Sequence, residues 1–290
     1  MVFLTGDLGF MALEPLQKAM GSRFINAGVS EQNMVSVSAA LAKQGFDVWA
    51  YSIAPFCYAR PFEQIRNDIT FHDLPVTLVG NGGGFGYGVM GPTHHAIEDY
   101  GVLLTLDNMA AFIPTFDEDI EHVVRMAGDR KHPSYLRLGR GEPPANFDVP
   151  AYSPWRLLLE GQGPIVVVVG PLAGTFIAPF RELSIDERPT MWALSELPIA
   201  LHALPERLLS AIAGGAAICV IEEHVAHGSA GGALALYFAT NGIPLRRFRH
   251  LAARAHVYSR YGSQSFMRKL SGLDPGSAVE AIRSVSAVVT

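Results

Sequence analysis

One carboxylate stands out by its setting. Glu31 lies in the run Arg23-Phe-Ile-Asn-Ala-Gly-Val-Ser-Glu-Gln-Asn-Met34, where an apolar strand or turn hands over to a helix. Val29 precedes a capping-type Ser30, and the helical stretch Glu31–Gln44 ends at Gly45. A carboxylate in a first helical turn is ordinary, because the helix dipole favours it. Its neighbourhood is less ordinary, because its flanks are apolar and an aromatic cluster and a Gly-Pro-Thr-His-His turn follow downstream. Phe56, Tyr58 and Phe62 follow, either as a platform for a flat heterocycle or as plain core. His94 and His95 come next; one histidine facing a pocket can pass a proton near neutral pH. Arg137 and Arg140 flank Leu138-Gly139 and are able to bind a phosphate or carboxylate, or to form a surface pair.

Two further patterns carry less chemistry than they first suggest. The stretch Asn81-Gly-Gly-Gly-Phe-Gly-Tyr-Gly-Val-Met-Gly91 contains a literal G-x-G-x-x-G at Gly86, Gly88 and Gly91, with Asp107 near the acidic distance. A dinucleotide fingerprint leaves its strand directly and opens a helix. Here a spacer separates Val79 from Gly86, and Pro92-Thr93 follows the last glycine. A loop at a strand's carboxyl end, where glycines let backbone approach a ligand, fits better. His94-His95 lacks a third metal ligand at suitable spacing, and so does Glu222-Glu223-His224 with His227. No metal site is expected, and the second group reads as a polar loop at a subunit contact.

The elements that must position these residues alternate between short β-rich runs and amphipathic helical stretches. That is the pattern of an α/β chain with largely parallel sheets flanked by helices. Strands are expected at Met1–Thr5, Val48–Ile53, Val76–Val79, Ala110–Pro114 and Ser134–Leu138. Helices are expected at Leu13–Met20, Glu31–Gln44, Pro61–Thr70 and Asp117–Ala127, with Met34, Val37, Ser38 and Leu41 on one face of the second. Pro143, Pro144, Pro150, Pro154 and Pro164 mark a linker. Ile165–Val169 and Ile218–Ile221 are buried strands, and Ala230–Ala239 is a helix. Two domains follow, residues 1–142 and 163–290, joined by a proline-rich linker at 143–162.

A chain of 290 residues is long enough for two cores. Its residues are 49% hydrophobic and 17% charged, so part of the surface is expected to be covered by a partner. A net charge of −5 argues against nucleic acid or an anionic membrane. Two cysteines, Cys57 and Cys219, make no disulfide framework. No charged n-region followed by an apolar core opens the chain, and glycines and prolines break its most apolar stretch, Ile165 to Phe180. A cytoplasmic protein without membrane spans is expected.

The ordered set resembles one family. Gly6-Asp7-Leu8, the run around Glu31, Phe56, Arg60-Pro-Phe-Glu-Gln-Ile-Arg-Asn-Asp-Ile69, Gly91-Pro-Thr-His94 and Pro133-Ser-Tyr-Leu-Arg-Leu-Gly-Arg140 stand in the order of the pyrimidine-binding domain of transketolases and 1-deoxyxylulose-5-phosphate synthases. Cys219-Val-Ile-Glu-Glu-His224 and the glycine-rich helix start after it are similar to their C-terminal domain. The resemblance implies a subunit of a thiamine diphosphate-dependent transferase, moving a two-carbon unit through a cofactor-bound carbanion. It implies that Glu31 activates the cofactor by hydrogen-bonding its aminopyrimidine, that Phe56, with Tyr58 and Phe62, stacks on that ring, and that Asp7 lies near the thiazolium across a subunit boundary. His94 becomes a proton donor or oxyanion partner beside the reacting carbons.

The family's Gly-Asp-Gly…Asn motif, which holds the diphosphate and its Mg²⁺, has no counterpart here. The resemblance therefore implies the second subunit of a split enzyme. A partner N-terminal subunit would hold the Mg²⁺ and diphosphate in an α2β2 heterotetramer, and activity would need both chains. The substrate side departs from the family. Met90 stands where an acidic residue reads the donor's hydroxyl, Gly82 where a histidine binds phosphate, and His95 where glutamine is usual. Arg140 remains as an anion-binding candidate. Altered donor recognition is expected: a less hydroxylated donor such as pyruvate, or an unusual sugar. The rival readings are a 2-oxoacid-decarboxylating carboligase subunit, a catalytically silent regulatory or assembly subunit, and a dinucleotide-binding oxidoreductase.

Overall fold

A computed structural model describes residues 1–286. The first sheet contains β1 (Val2–Thr5), β2 (Phe24–Asn26), β3 (Val48–Ile53), β4 (Val76–Asn81), β5 (Ala110–Phe112) and β6 (Ser134–Leu138). A short β10 (Glu196–Leu197) joins it from the second half of the chain, giving the order β10-β5-β6-β4-β3-β1-β2. Every pairing is parallel except β10 against β5. The near-continuous apolar runs of β3 and β4 are buried along almost their whole length, as strands covered on both faces must be.

Parallel register fixes where the chemistry sits. Thr5 lies opposite Asn26 and Tyr51, Ile53 opposite Asn81, and Asn81 opposite Leu138. The carboxyl ends of five strands therefore share one edge. Asp7, Glu31, Phe56, Gly82 and Arg140 each follow one of those ends. In open parallel sheets this edge is where ligands bind.

The helix after β2 spans Glu31–Lys43 and buries Met34, Val35, Ser38, Ala39 and Ala42. The sequence places Val37 and Leu41 on that face; Val37 is instead exposed. The stripe is rotated by about one residue, and this puts Glu31 at its head, one turn before Met34 and Val35. Ser30 precedes the helix without making a side-chain cap. The expected helix at Pro61–Thr70 divides into a turn at Phe62–Gln64 and a wider π-helical turn at Ile65–Thr70.

The second sheet has the order β12-β11-β8-β9-β7, with β7 at Trp155–Leu159, β8 at Ile165–Val169, β9 at Thr190–Leu194, β11 at Ile218–Val225 and β12 at Phe248–Ala253. Only β7 runs antiparallel to its neighbour. The proline-rich stretch 143–162 thus holds a sheet strand, β7, in its second half. Both sheets are flanked by helices, the fold class that the sequence predicts. Among the described residues no helix is long and apolar enough to cross a membrane.

Candidate functional site

Glu31 is only 5% exposed, although it is a carboxylate. Arg60 donates to both of its oxygens, from Nη1 to Oε1 at 3.0 Å and to Oε2 at 3.1 Å. The Arg60 guanidinium also lies over the Phe56 ring, 4.0 Å from its centroid. A flat, N–H-bearing cation thus rests on an aromatic face with its edge on a buried carboxylate. Arg60 is 47% exposed and lines an open groove with Val29, Ser30, Glu31, Gln32 and Asn33. From β3, the buried Ser52 Oγ has no hydrogen-bond partner. Gly6 leaves room between it and the carboxylate: a Cβ there would lie 3.5 Å from Ser52 Oγ and 3.8 Å from Glu31 Oε1.

Phe56 joins this groove to the glycine-rich loop. His94 meets it edge-on, with ring centroids 5.1 Å apart, and meets Tyr87 at 6.4 Å. His94 is half-exposed, and its Nδ1 lies 2.9 Å from Thr93 Oγ1. The other expected aromatics are placed differently. Tyr58 is buried and turns its hydroxyl to Glu98 Oε2 at 3.4 Å, so its ring is core wall beneath the platform. Phe62 is half-buried at the head of the turn Phe62–Gln64.

The glycine loop is an arch rather than the start of a helix. Gly84 and Ala96 exchange backbone hydrogen bonds at 2.8 Å, and Gly83 donates to Leu138 O. The Phe85 amide donates to Glu223 Oε1 at 2.9 Å, and Arg268 and Gln264 hold that carboxylate in turn. Two short 3₁₀ turns, Gly88–Met90 and Pro92–His94, follow. The helix N-terminus that a dinucleotide fingerprint needs is therefore absent from this loop. Met90 is exposed. His95 turns away from His94: it is buried, donates from Nε2 to Gly88 O at 3.2 Å and stacks on His256.

Gly82 and Arg140 line a cleft of about 580 Å³ with Asn81, Tyr87, Asp117 and Gln264. Arg140 is exposed there. Arg137, its neighbour in sequence, is buried against Asp99 at 2.7 Å and donates to the carbonyls of Ala96 and Glu223. It braces the two halves of the chain. Asp7 faces a separate groove at the end of β1 and accepts from Asn26 Nδ2 at 2.8 Å.

The Glu222-Glu223-His224 group is no exposed loop. All three residues are buried at the end of β11. Glu222 accepts from the amides of Ala230 and Gly231, pairs with His250 at 2.7 Å and accepts from the Tyr100 hydroxyl. Burial would raise its pKa, but the bonds from His250 and Tyr100 and the nearby His224 hold it below the usual carboxylate range. The Nε2 of His224 accepts the Gly101 amide, and burial pushes its imidazole pKa down. Among the described residues, no group of three or more His, Cys, Asp or Glu is arranged to hold a metal ion.

Arg60, Tyr87, Asn81, Asp117 and Gln264 were not singled out by residue type. Arg60 was legible only as the first residue of the run Arg60–Ile69, and Gln264 comes from a helix start far along the chain, capped by Ser263.

Residues 5–145 match the family described as transketolase, pyrimidine binding domain. The chain is 26% identical over 275 residues to an apulose-4-phosphate transketolase subunit of Actinobacillus succinogenes, covering 94% of this chain and 88% of that protein. It is 28% identical over 294 residues to a putative transketolase C-terminal section of Methanocaldococcus jannaschii, covering 97% and 89%. Among solved structures, a split gene transketolase described as an inactive beta4 tetramer superposes with a TM-score of 0.81 at 26% identity, over 98% of this chain and 91% of that one.

Proposed function

We propose that the chain, whose residues 5–145 match the transketolase pyrimidine-binding domain, is one subunit of a split thiamine diphosphate enzyme that transfers a two-carbon unit. The observation that carries this reading is the Glu31–Arg60–Phe56 arrangement. The guanidinium already makes the two contacts an aminopyrimidine requires, an edge on a buried carboxylate and a face on an aromatic ring. Ser52 Oγ, buried without a partner beside that carboxylate, is a further polar group for a ligand to satisfy. The residues present fit the cofactor.

Thiamine diphosphate, when bound, supplies a carbon nucleophile that accepts the two-carbon unit and hands it on. This chain's part is to hold the ring and manage protons. Glu31 shares a proton with a ring nitrogen, as a carboxylate screened from water does well. Phe56 supplies the flat apolar face, and Arg60 must swing off that face to admit the ring. His94, edge-on to Phe56 and half-open to solvent, gives or takes a proton at the substrate's carbonyl or hydroxyl oxygen. Asp7, on the neighbouring strand end, is assigned to the thiazolium side of the site. The diphosphate and Mg²⁺ are assigned to a partner subunit. The solved relative described as an inactive beta4 tetramer supports reading a chain of this kind as incomplete by itself.

The test is to co-purify the chain with a diphosphate-binding subunit and titrate thiamine diphosphate and Mg²⁺ in the presence of ketose and 2-oxo acid donors. Two-carbon transfer that needs both chains and the cofactor is expected. Nicotinamide cofactor binding in place of thiamine diphosphate would sink the reading. Release of CO₂ from pyruvate would move it to the decarboxylating carboligase.

A further inference from the structure

The cleft beside His94 is walled by a side chain that fills another residue's space. Gly82 has φ +75°, and a Cβ built on it would lie 2.2 Å from Tyr87 Cδ2 and 2.3 Å from its Cε2. The Tyr87 ring therefore occupies the volume that any side chain at position 82 would need. Asn81 Nδ2 donates to the Tyr87 hydroxyl at 2.8 Å, which fixes the ring across the mouth of the cleft. Its other edge approaches His94. The remaining charged groups of the cleft are Arg140 and Asp117. Asp117 is locked into the wall, because its Oδ1 accepts the Gly141 amide at 2.9 Å. Gln264 adds a neutral amide from the second half of the chain.

One cation and one anion on the wall give a cleft without net charge. A phosphate dianion entering it would meet a fixed carboxylate, whereas hydroxyl groups find acceptors and donors on several sides. We propose that Tyr87 is a specificity-determining residue, and that the cleft takes the tail of a neutral, hydroxylated carbonyl substrate in preference to a phosphorylated one. This inference rests on the two-carbon transfer proposed above.

The experiment uses the complete two-subunit enzyme with D-xylulose and D-xylulose 5-phosphate as donor probes, and inorganic phosphate as a competitor. The free sugar should be used at least about tenfold better in kcat/KM, a difference of about 1.4 kcal/mol, and phosphate should leave its KM unchanged. Tyr87→Ala should lower kcat/KM for the free sugar by about tenfold, mostly through KM. Gly82→Ala should give the same KM defect by displacing the ring, and the double variant should be no worse than either single one. Preference for the phosphorylated probe, competition by phosphate, or additive losses spread equally over kcat and KM would overturn the inference alone. A wild-type complex that transfers two carbons from neither sugar nor pyruvate would remove the functional reading and this inference with it.

Discussion

Replacing Glu31 with Gln separates the proposed chemistry from the fold. The substitution keeps volume and shape at a site 5% exposed and removes only the charge and the second acceptor. The Gln amide oxygen can still accept from Arg60 Nη1, while its NH₂ must turn from the guanidinium. Arg60 is 47% exposed, so it recovers hydration when the pair weakens. A pair of this kind contributes about 0.2–1 kcal/mol, and removing a desolvated carboxylate offsets part of that. The melting temperature should therefore move by less than about 4 °C. Activity should fall far more, by about 10²–10⁴-fold, the usual contribution of a positioned proton-transfer group. The assay is thiamine diphosphate-dependent transfer by the co-purified complex, with thermal unfolding and subunit assembly measured on the same samples. Full activity in Glu31→Gln would refute the proton-sharing role. A loss of activity matched by loss of assembly would show a structural role instead.

Three other consequences follow from buried groups. His95 and His224 have pKa values pushed below the usual imidazole range, first by burial, so the unfolded chain binds protons that the folded one refuses. Glu98 and Glu222 add to this at lower pH: burial alone would raise them, but the histidines bonded to them, His256 and His250, hold them below the carboxylate range. Stability should be complete above about pH 7, fall as pH drops through about 6.5, and fall again below about 4.5; a melting temperature that rises on acidification from pH 7 to 5 would contradict this. Arg137→Met should cost about 3–5 kcal/mol in chemical denaturation, because it breaks a buried ion pair and leaves Asp99 with only the Tyr135 hydroxyl, and a cost below about 1 kcal/mol would show that the brace is dispensable. Both cysteines are buried with thiols pushed up to about 12, so Cys57 and Cys219 should resist alkylation at pH 8 until the chain is unfolded.

Much of this architecture was legible in the residues. Short runs rich in β-branched or aromatic residues, such as Ile165–Val169 and Val48–Ile53, read as strands covered on both faces, and they appear as such. Glu31, Phe56 and His94 were marked by their place in an ordered set, and the structure brings the three together around one groove and one loop. The misplaced helix face has a local cause. Periodicity alone did not distinguish Val37 from Val35, because both are small and apolar, and the direction of the stripe is set by β3 and the Ile65–Thr70 turn packing against it. The short strands β2 and β10 carry too few residues to show a period, and β7 lies within the stretch that its prolines mark as a linker. The Glu222–His224 group misled for a different reason. Charged residues in sequence read as surface, yet here each one has a partner far away along the chain: Tyr100 for Glu222, Phe85 for Glu223 and Gly101 for His224.

The same long-range logic explains why the second half of the chain matters to a site assigned to the first. The glycine loop has few side chains with which to hold itself, and glycine loses more conformational freedom on ordering than any other residue. Its order comes from outside: Glu223 takes the Phe85 amide, Arg137 ties Ala96 to β11, and the backbone of Gly262 and Gln264 closes on Gly88. His94 leaves this loop immediately, so its distance from Phe56 depends on contacts made some 130 residues later in the chain. Substitutions at Glu223 or Arg268 should therefore act on the substrate side of the reaction while leaving the Glu31 groove in place. Gly82 and Tyr87 shape a cleft whose lining is separate from that of the Glu31 groove, so the two can vary independently while the clamp is kept.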